Sequence, residues 1–524
     1  MSIIDISSKA RRIASNSLML FSRMMAITVI NLYAVRLLLR ALGQEDYGTF
    51  NGVAGVVLAS TFITVTLATS IQRFYSYALG EGKSGQLKDI FSASMNIILV
   101  LSTVIFLLFE TVGLWFVNSQ MDIPSERLVA ANWVFQFSLG TLWFGLLQLP
   151  FTAAIFAHEE MGLFALISLT ECLLRLVVVV LIGVSGADGL IFYSGGLFVV
   201  AIIIFVFYAI AASRRYAECR YQRGTGRGHY KSLLSFSGWT LYSAAAGVGV
   251  TQGITILLYI FFGPLATAAF AISQQVLHAF TALGNNVAIA FRPAMVKAYA
   301  ERNFVFLDKM FSANNKLVMY LLLLVAIPLV LEQRTIFGWW LGDVTEETVV
   351  FTRLIIVYMV CFSMHNPVTT IVQSTGRVKY YSLCVDTTLL LCLPAIWMAF
   401  RLGASSEACV VLLIASCVVA HLVRLVILHH LYPPFRFTPY LLGVILPGLL
   451  STLVTSVMAG FVHHNLAPGF GRLVAVFATA AVAMMLTAYV IGMSKDERNL
   501  TNAYFVTLFT KRLLKVFDKK KYNK

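Results

Sequence analysis

"LKDIFSAS", residues 87–94, returns as "LDKMFSAN", residues 307–314, an offset of 220 positions. Just upstream, "QRFYSYALGEG" (72–82) closes one apolar run as "FRPAMVKAYAERN" (291–303) closes another. Further up, "GQEDYGTF" (43–50) and "GPLATAAF" (263–270) share their Gly-to-Phe spacing. One eight-residue match is within the reach of chance. Three in the same order at nearly one offset mark a duplicated unit, far longer than the 20–50-residue periods of solenoids.

What is duplicated is a set of membrane spans. The 524 residues are 59% hydrophobic and 12% charged, against about 25% charged in ordinary soluble domains, and mean hydropathy is +0.82. Apolar runs of about 20 residues, enough to cross ~30 Å of hydrocarbon as a helix, recur along the chain. They lack the period-2 alternation of a transmembrane β-barrel. The expected fold is an all-α polytopic membrane protein with about fourteen transmembrane helices: 17–41, 50–71, 92–117, 131–155, 161–184, 190–212, 233–260, 267–291, 316–333, 348–372, 380–400, 406–429, 438–462 and 472–493. The offset then equals six spans. An even number preserves orientation, so the halves are parallel repeats about an axis along the membrane normal, a transporter architecture. The expected division is an N-lobe (1–212), a C-lobe (213–430), spans 13–14 (431–493) and a basic tail (494–524) lying on the anionic inner leaflet.

Charge gives the orientation. Of 39 Lys and Arg, five lie inside spans (Arg23, Arg36, Arg175, Arg353, Arg424) and five in one set of connections (Arg40, Arg127, Arg334, Arg401, Arg472). The remaining 29 fall in the alternate set that includes both termini, which the positive-inside rule places in the cytoplasm. The net charge of +15 therefore records topology, and no nucleic-acid partner is needed. The first span is long and lacks a small-residue exit, so cleavage as a signal peptide is not expected. All seven Cys lie in spans or, for Cys219, in a cytoplasmic loop, leaving none for an external disulfide.

With these two six-span lobes, "RLLLRALGQEDYG" (36–48) and "SIQRFYSYALGEG" (70–82), the chain resembles the bacterial polysaccharide transporters, the Wzx-type flippases of O-antigen and capsule repeat units. They share a superfamily with multidrug extruders and the lipid II flippase. The resemblance covers essentially the whole chain. It implies movement of an undecaprenyl-pyrophosphate-linked oligosaccharide across the bacterial inner membrane, with membrane lipids and other polysaccharide-assembly proteins as partners.

Such a substrate needs cations for its diphosphate and neutral hydrogen-bonders for its hydroxyls, on faces turned to a wet interior. Span 8 carries Gln274, His278, Thr281 and Asn285 at spacings of 4, 3 and 4, then Arg292, a stripe about 27 Å long at ~1.5 Å per residue. It lines a cavity or serves as interhelical polar contact. Arg292 matches Arg73 in the repeat, so the two form a pair for the diphosphate. In span 1, Arg23 and Asn31 share a face, with Arg36 toward the outer end; in span 7, Gln252 shares one with Thr255 and Tyr259. Substrate-binding candidates are thus Arg23, Asn31, Arg36, Arg73, Gln252, Gln274, His278, Asn285 and Arg292. Coupling to a proton or sodium gradient falls to Glu171, alternatively a static pair with Arg175, or to Asp386. In span 10, "HNP" (365–367) predicts a kink.

No HExxH, Walker A or Gly-rich nucleotide loop is present, and the external loops are too short for a catalytic subdomain. Neither a catalytic residue, a metal nor a cofactor is expected. A membrane glycosyltransferase or polymerase is the remote alternative. The nearer one is an ion-coupled multidrug or small-molecule antiporter of the same superfamily.

Overall fold

The computed structural model describes residues 3–80, 84–158, 160–222, 230, 238–342, 344–375, 377–495 and 497–499, with side chains from Arg23 onward except at a few helix positions, Arg73 among them. The basic tail beyond residue 499 lies outside the described residues. Among the described residues the regular elements are helices, with no strand. Twelve are long and apolar enough to cross a membrane, making this a multi-pass membrane protein.

Twelve differs from fourteen because two helices run double. Arg23–Leu58 has 36 residues and Leu241–Asn285 has 45. Straight, at ~1.5 Å per residue they would reach about 54 and 68 Å, roughly twice the hydrocarbon core. Each contains one residue off the helical backbone: Gly43 (φ 79°, ψ 172°) in Ile3–Leu58 and Gly263 (φ 79°, ψ −168°) in Gly238–Ala300. A positive φ of this kind suits glycine, which has no Cβ to clash. These glycines stand where the sequence divides span 1 from span 2 and span 7 from span 8, and helical bonding resumes directly after each.

The chain forms two compact units. Unit 1 comprises 1–279, 340–355 and 379–420; unit 2 comprises 280–339, 356–378 and 421–524. In unit 1 the two glycine turns meet. A Cβ on Gly48 would stand 1.8 Å from the Pro264 carbonyl oxygen, and one on Gly52 would stand 2.2 Å from the Tyr259 ring. Small residues let helix backbones approach this closely. Span ends in the same unit are tied by Arg127, which donates to Asp46 at 2.8 Å and Asp188 at 2.5 Å. Asp188 also caps Gly189–Arg215 by accepting from the Leu190 and Ile191 amides. The core beneath is built from Val53, Ile71, Tyr75, Phe91, Phe135, Leu139 and Tyr208.

Unit 2 is built on Phe304–Leu331. Its Met319, Leu323 and Ile327 pack with Ala459, Val476, Ala480 and Met484 from spans 13 and 14. Both ends of this packing are bolted by charge. Glu332, fully buried, receives hydrogen bonds from Arg472 Nη2 at 3.0 Å and Thr335 Oγ1 at 2.9 Å, and its carboxylate lies 2.8 Å from Arg472 Nε and 2.7 Å from His463 Nδ1. At the other end Lys316 Nζ donates to Glu497 at 2.8 Å. The span 10 kink is also present. Glu346–Ser363 stops and His365–Ser374 begins, because Pro367 cannot donate to the Ser363 carbonyl.

Candidate functional site

A cavity of about 500 Å³ opens within unit 1. Its wall is drawn from 31–38 of span 1, 47–64 of span 2, 138–145 of span 4, 172–179 of span 5, 193–197 of span 6, and Gln275 of span 8. Span 2 contributes Asn51, Ala54 and Leu58, spaced 3 and 4 on one face of the helix that ends at Leu58, and Thr61 and Thr64 from the helix that begins at Thr61.

The lining is chemically one-sided. Hydroxyl and amide groups come from Asn31, Tyr47, Asn51, Thr61, Thr64, Ser138, Thr141, Tyr193, Ser194 and Gln275, and among the described residues no Asp or Glu faces the space. Three of the hydroxyls donate to nearby backbone carbonyls, Thr61 to Leu58 at 2.7 Å, Thr141 to Phe137 at 2.8 Å and Ser194 to Leu190 at 2.9 Å, while Thr64 Oγ1 is buried without a hydrogen-bond partner. Each keeps lone pairs for a ligand. Asn31 Oδ1 takes a long contact from Cys172 Sγ at 3.6 Å, which leaves its amide NH₂ for other acceptors. Aromatic faces are supplied by Tyr47, Phe50 and Tyr193, the last two edge to face at 4.9 Å.

Among the described residues Arg175 is the one charged residue in this lining. Its Nη2 donates to Glu171 Oε1 at 2.6 Å, one turn back on the same helix. Glu171 does not reach the cavity and serves as the counter-charge. A guanidinium so held keeps further N–H donors for oxygen atoms in the cavity. The arrangement therefore presents many neutral hydrogen-bonders, aromatic faces and one cation.

Of the residues expected from sequence whose side chains are described, Asn31 lines this cavity and the others lie elsewhere. Arg23 sits over the Phe164 ring at 4.7 Å with Nε unbonded. Arg36 is half-buried, its Nε also unbonded. Gln252 faces the glycine seam, its Oε1 3.2 Å from where a Gly55 Cβ would be. Gln274 is half-buried, and His278 and Arg292 are exposed. In unit 2, Asn366 Nδ2 donates to Asn285 Oδ1 at 3.0 Å, so one member of the span 8 stripe does join two helices. The side chain of Arg73 lies outside the description. Asp386 accepts from Ser243 at 2.5 Å.

The sequence reading missed Gln275 and the span 2 face. The signal was present in Asn51, Thr61 and Thr64, diluted by the Ala and Leu between them. Glu45-Asp46, which could imitate an acidic metal motif, has Asp46 committed to Arg127. Among the described residues no cluster of three His, Cys, Asp or Glu is placed to hold a metal.

No protein-family model matches the chain, and no curated protein matches it in sequence. Solved structures do match in fold. The lipid II flippase MurJ in an inward closed conformation superposes with a TM-score of 0.67 at 13% identity, covering 91% of this chain and 98% of that one. An inward-facing multidrug resistance MATE family transporter of the MOP superfamily also gives 0.67 at 13% identity, covering 78% and 96%. A MOP superfamily transporter from Pyrococcus furiosus, described as having a binding pocket of reverse polarity, gives 0.56 at 14% identity, covering 79% and 95%. At these identities the likeness is one of fold.

Proposed function

We propose that this chain is a flippase, with no enzymatic step of its own, that carries an undecaprenyl-pyrophosphate-linked oligosaccharide across the bacterial cytoplasmic membrane by alternating access. Both termini face the cytoplasm in this reading. The observation that carries it is a cavity wall with no Asp or Glu among the described residues. Sugars are bound through hydroxyls and C–H faces, which neutral amides, hydroxyls and aromatic rings suit, while Arg175 favours an anionic group. A multidrug antiporter for cationic compounds would want carboxylates facing that space. The fold alone separates the two no further, since MurJ and the MATE transporter superpose equally well.

In this account the lobes are 1–212 and 213–430, with spans 13–14 as an addition. The sugar enters the cavity of unit 1, and Arg23, Arg73 and Arg292 receive the diphosphate at the cytoplasmic side, with Arg36 passing it outward. Several loose cationic sites serve release better than one tight site. Coupling to a proton or sodium gradient falls to Asp386, because Glu171 already has Arg175 as its counter-ion. The experiment is a deletion strain complemented with wild type or with Asn31→Leu and Arg175→Ala. Surface polysaccharide restored by wild type and not by the variants, at equal membrane abundance, supports the reading. Unchanged polysaccharide in the deletion strain overturns it.

A further inference from the structure

Among the described residues of unit 2, three of the buried nitrogens without a hydrogen-bond partner lie together on Arg424 and His421. Arg424, in the helix Ala408–Leu431, is 4% exposed, and neither its Nε nor its Nη1 has a bond. His421 precedes it by three residues, on the same helical face. Its Nε2 lies 3.1 Å from the Tyr440 hydroxyl, and its Nδ1 is buried and unbonded. When the phenol O–H donates to Nε2, the ring proton sits on Nδ1 and is available as a donor.

His365 completes the surroundings from the break in span 10. Its ring packs on Phe362 at 4.1 Å and its Nδ1 bonds the Phe362 carbonyl, so it brings no negative charge. The Arg424 charge reaches both imidazoles. Among the described residues no carboxylate pairs with Arg424; the ion pairs of unit 2 engage Glu301, Glu332 and Glu497.

A guanidinium is not deprotonated in proteins, and an uncompensated buried charge is strongly unfavourable. Water can accept a hydrogen bond there but supplies no charge. What the cluster asks for is a small acceptor bearing negative charge.

We propose that Arg424, His421 and Tyr440, flanked by His365, form a binding site for a compact inorganic anion such as chloride. The anion accepts from Arg424 and from His421 Nδ1. It thereby links span 12 to the start of span 13 and to the broken segment of span 10, fixing three helices that otherwise meet around a lone cation. The site lies in unit 2 and does not depend on the identity of the transported molecule.

The test uses purified full-length protein in detergent at near-neutral pH, with thermal unfolding followed as gluconate is replaced by chloride at constant ionic strength. Wild type is expected to gain Tm saturably with chloride. Arg424→Met, checked for monodisperse elution, loses that gain, while Arg353→Met, which removes an exposed cation of span 10, keeps it. Crystals soaked in bromide provide a measurement independent of any variant: an anomalous peak belongs beside the Arg424 guanidinium. A wild-type Tm indifferent to chloride, a gain that persists in Arg424→Met, or bromide peaks only elsewhere would each overturn the proposal.

Discussion

Gly43 and Gly263, 220 residues apart in sequence, adopt the same φ of 79° and interrupt their helices at equivalent points of the repeat. The turns they create are in contact, because Gly48 rests on the Pro264 backbone. A duplicated backbone geometry thus sits where the two halves of the chain pack together within unit 1.

That contact predicts the first outcome. Gly52→Ala places a methyl group 2.2 Å from the Tyr259 ring, an overlap that spans 2 and 7 relieve only by parting. Overpacking of this kind costs about 1–3 kcal/mol. The variant is expected to unfold at lower temperature, and a cysteine at Thr49 to react faster with maleimide than in the Gly52 background. Equal labelling rates would mean that the seam yields without opening.

The bolt on spans 13 and 14 makes the second. Arg472→Met leaves the fully buried Glu332 carboxylate with Thr335 and His463 but without its guanidinium, and removing one partner of a buried pair costs about 3–5 kcal/mol. Arg472→Met combined with Glu332→Leu should recover much of that loss. A double variant no better than Arg472→Met would show that the pair is not what holds the two helices.

Glu497 predicts a pH dependence. Burial by itself pushes its carboxyl up, but the bonds from Lys316 and Ser494 with the Lys316 charge overcome this and hold it below the ordinary value of 4.5. A depressed acid contributes stability that is complete above the ordinary value and is lost as pH falls through the folded-state value. The Tm of wild type should therefore decline more steeply below pH 4.5 than that of Lys316→Met. Parallel curves would remove Glu497 from the account.

Much of this was legible in the chain, and the reasons for the remainder are physical. Hydropathy gave the class, and "GQEDYGTF" against "GPLATAAF" located both turns, because a left-handed residue between apolar runs demands glycine. The cavity was not legible. Its wall is assembled from five spans and one side chain of a sixth, and a polar stripe on one helix does not say which way it points. Gln274 was chosen where Gln275 lines the space, a difference of about 100° around the helix. The Glu332 bolt joins positions 332, 463 and 472, whose pairing no local spacing reveals.

The cations yield the fourth prediction. If Arg23, Arg73 and Arg292 hold a diphosphate, Lys keeps the charge but loses the bidentate fork, so Lys variants should export partly and Ala variants poorly. One charge-assisted hydrogen bond is worth about 1.5–3 kcal/mol, roughly ten- to a hundredfold in affinity. Normal export by Arg73→Ala, Arg292→Ala and their combination would make these arginines topology signals only.

The most direct measurement reconstitutes the purified protein in vesicles carrying a fluorescent undecaprenyl-pyrophosphate oligosaccharide and follows quenching from outside. The account predicts that the lipid equilibrates between leaflets with wild type, and markedly more slowly with Asn31→Leu or Arg175→Ala. A wild-type rate equal to that of protein-free vesicles, with uptake of small organic cations in its place, would contradict it.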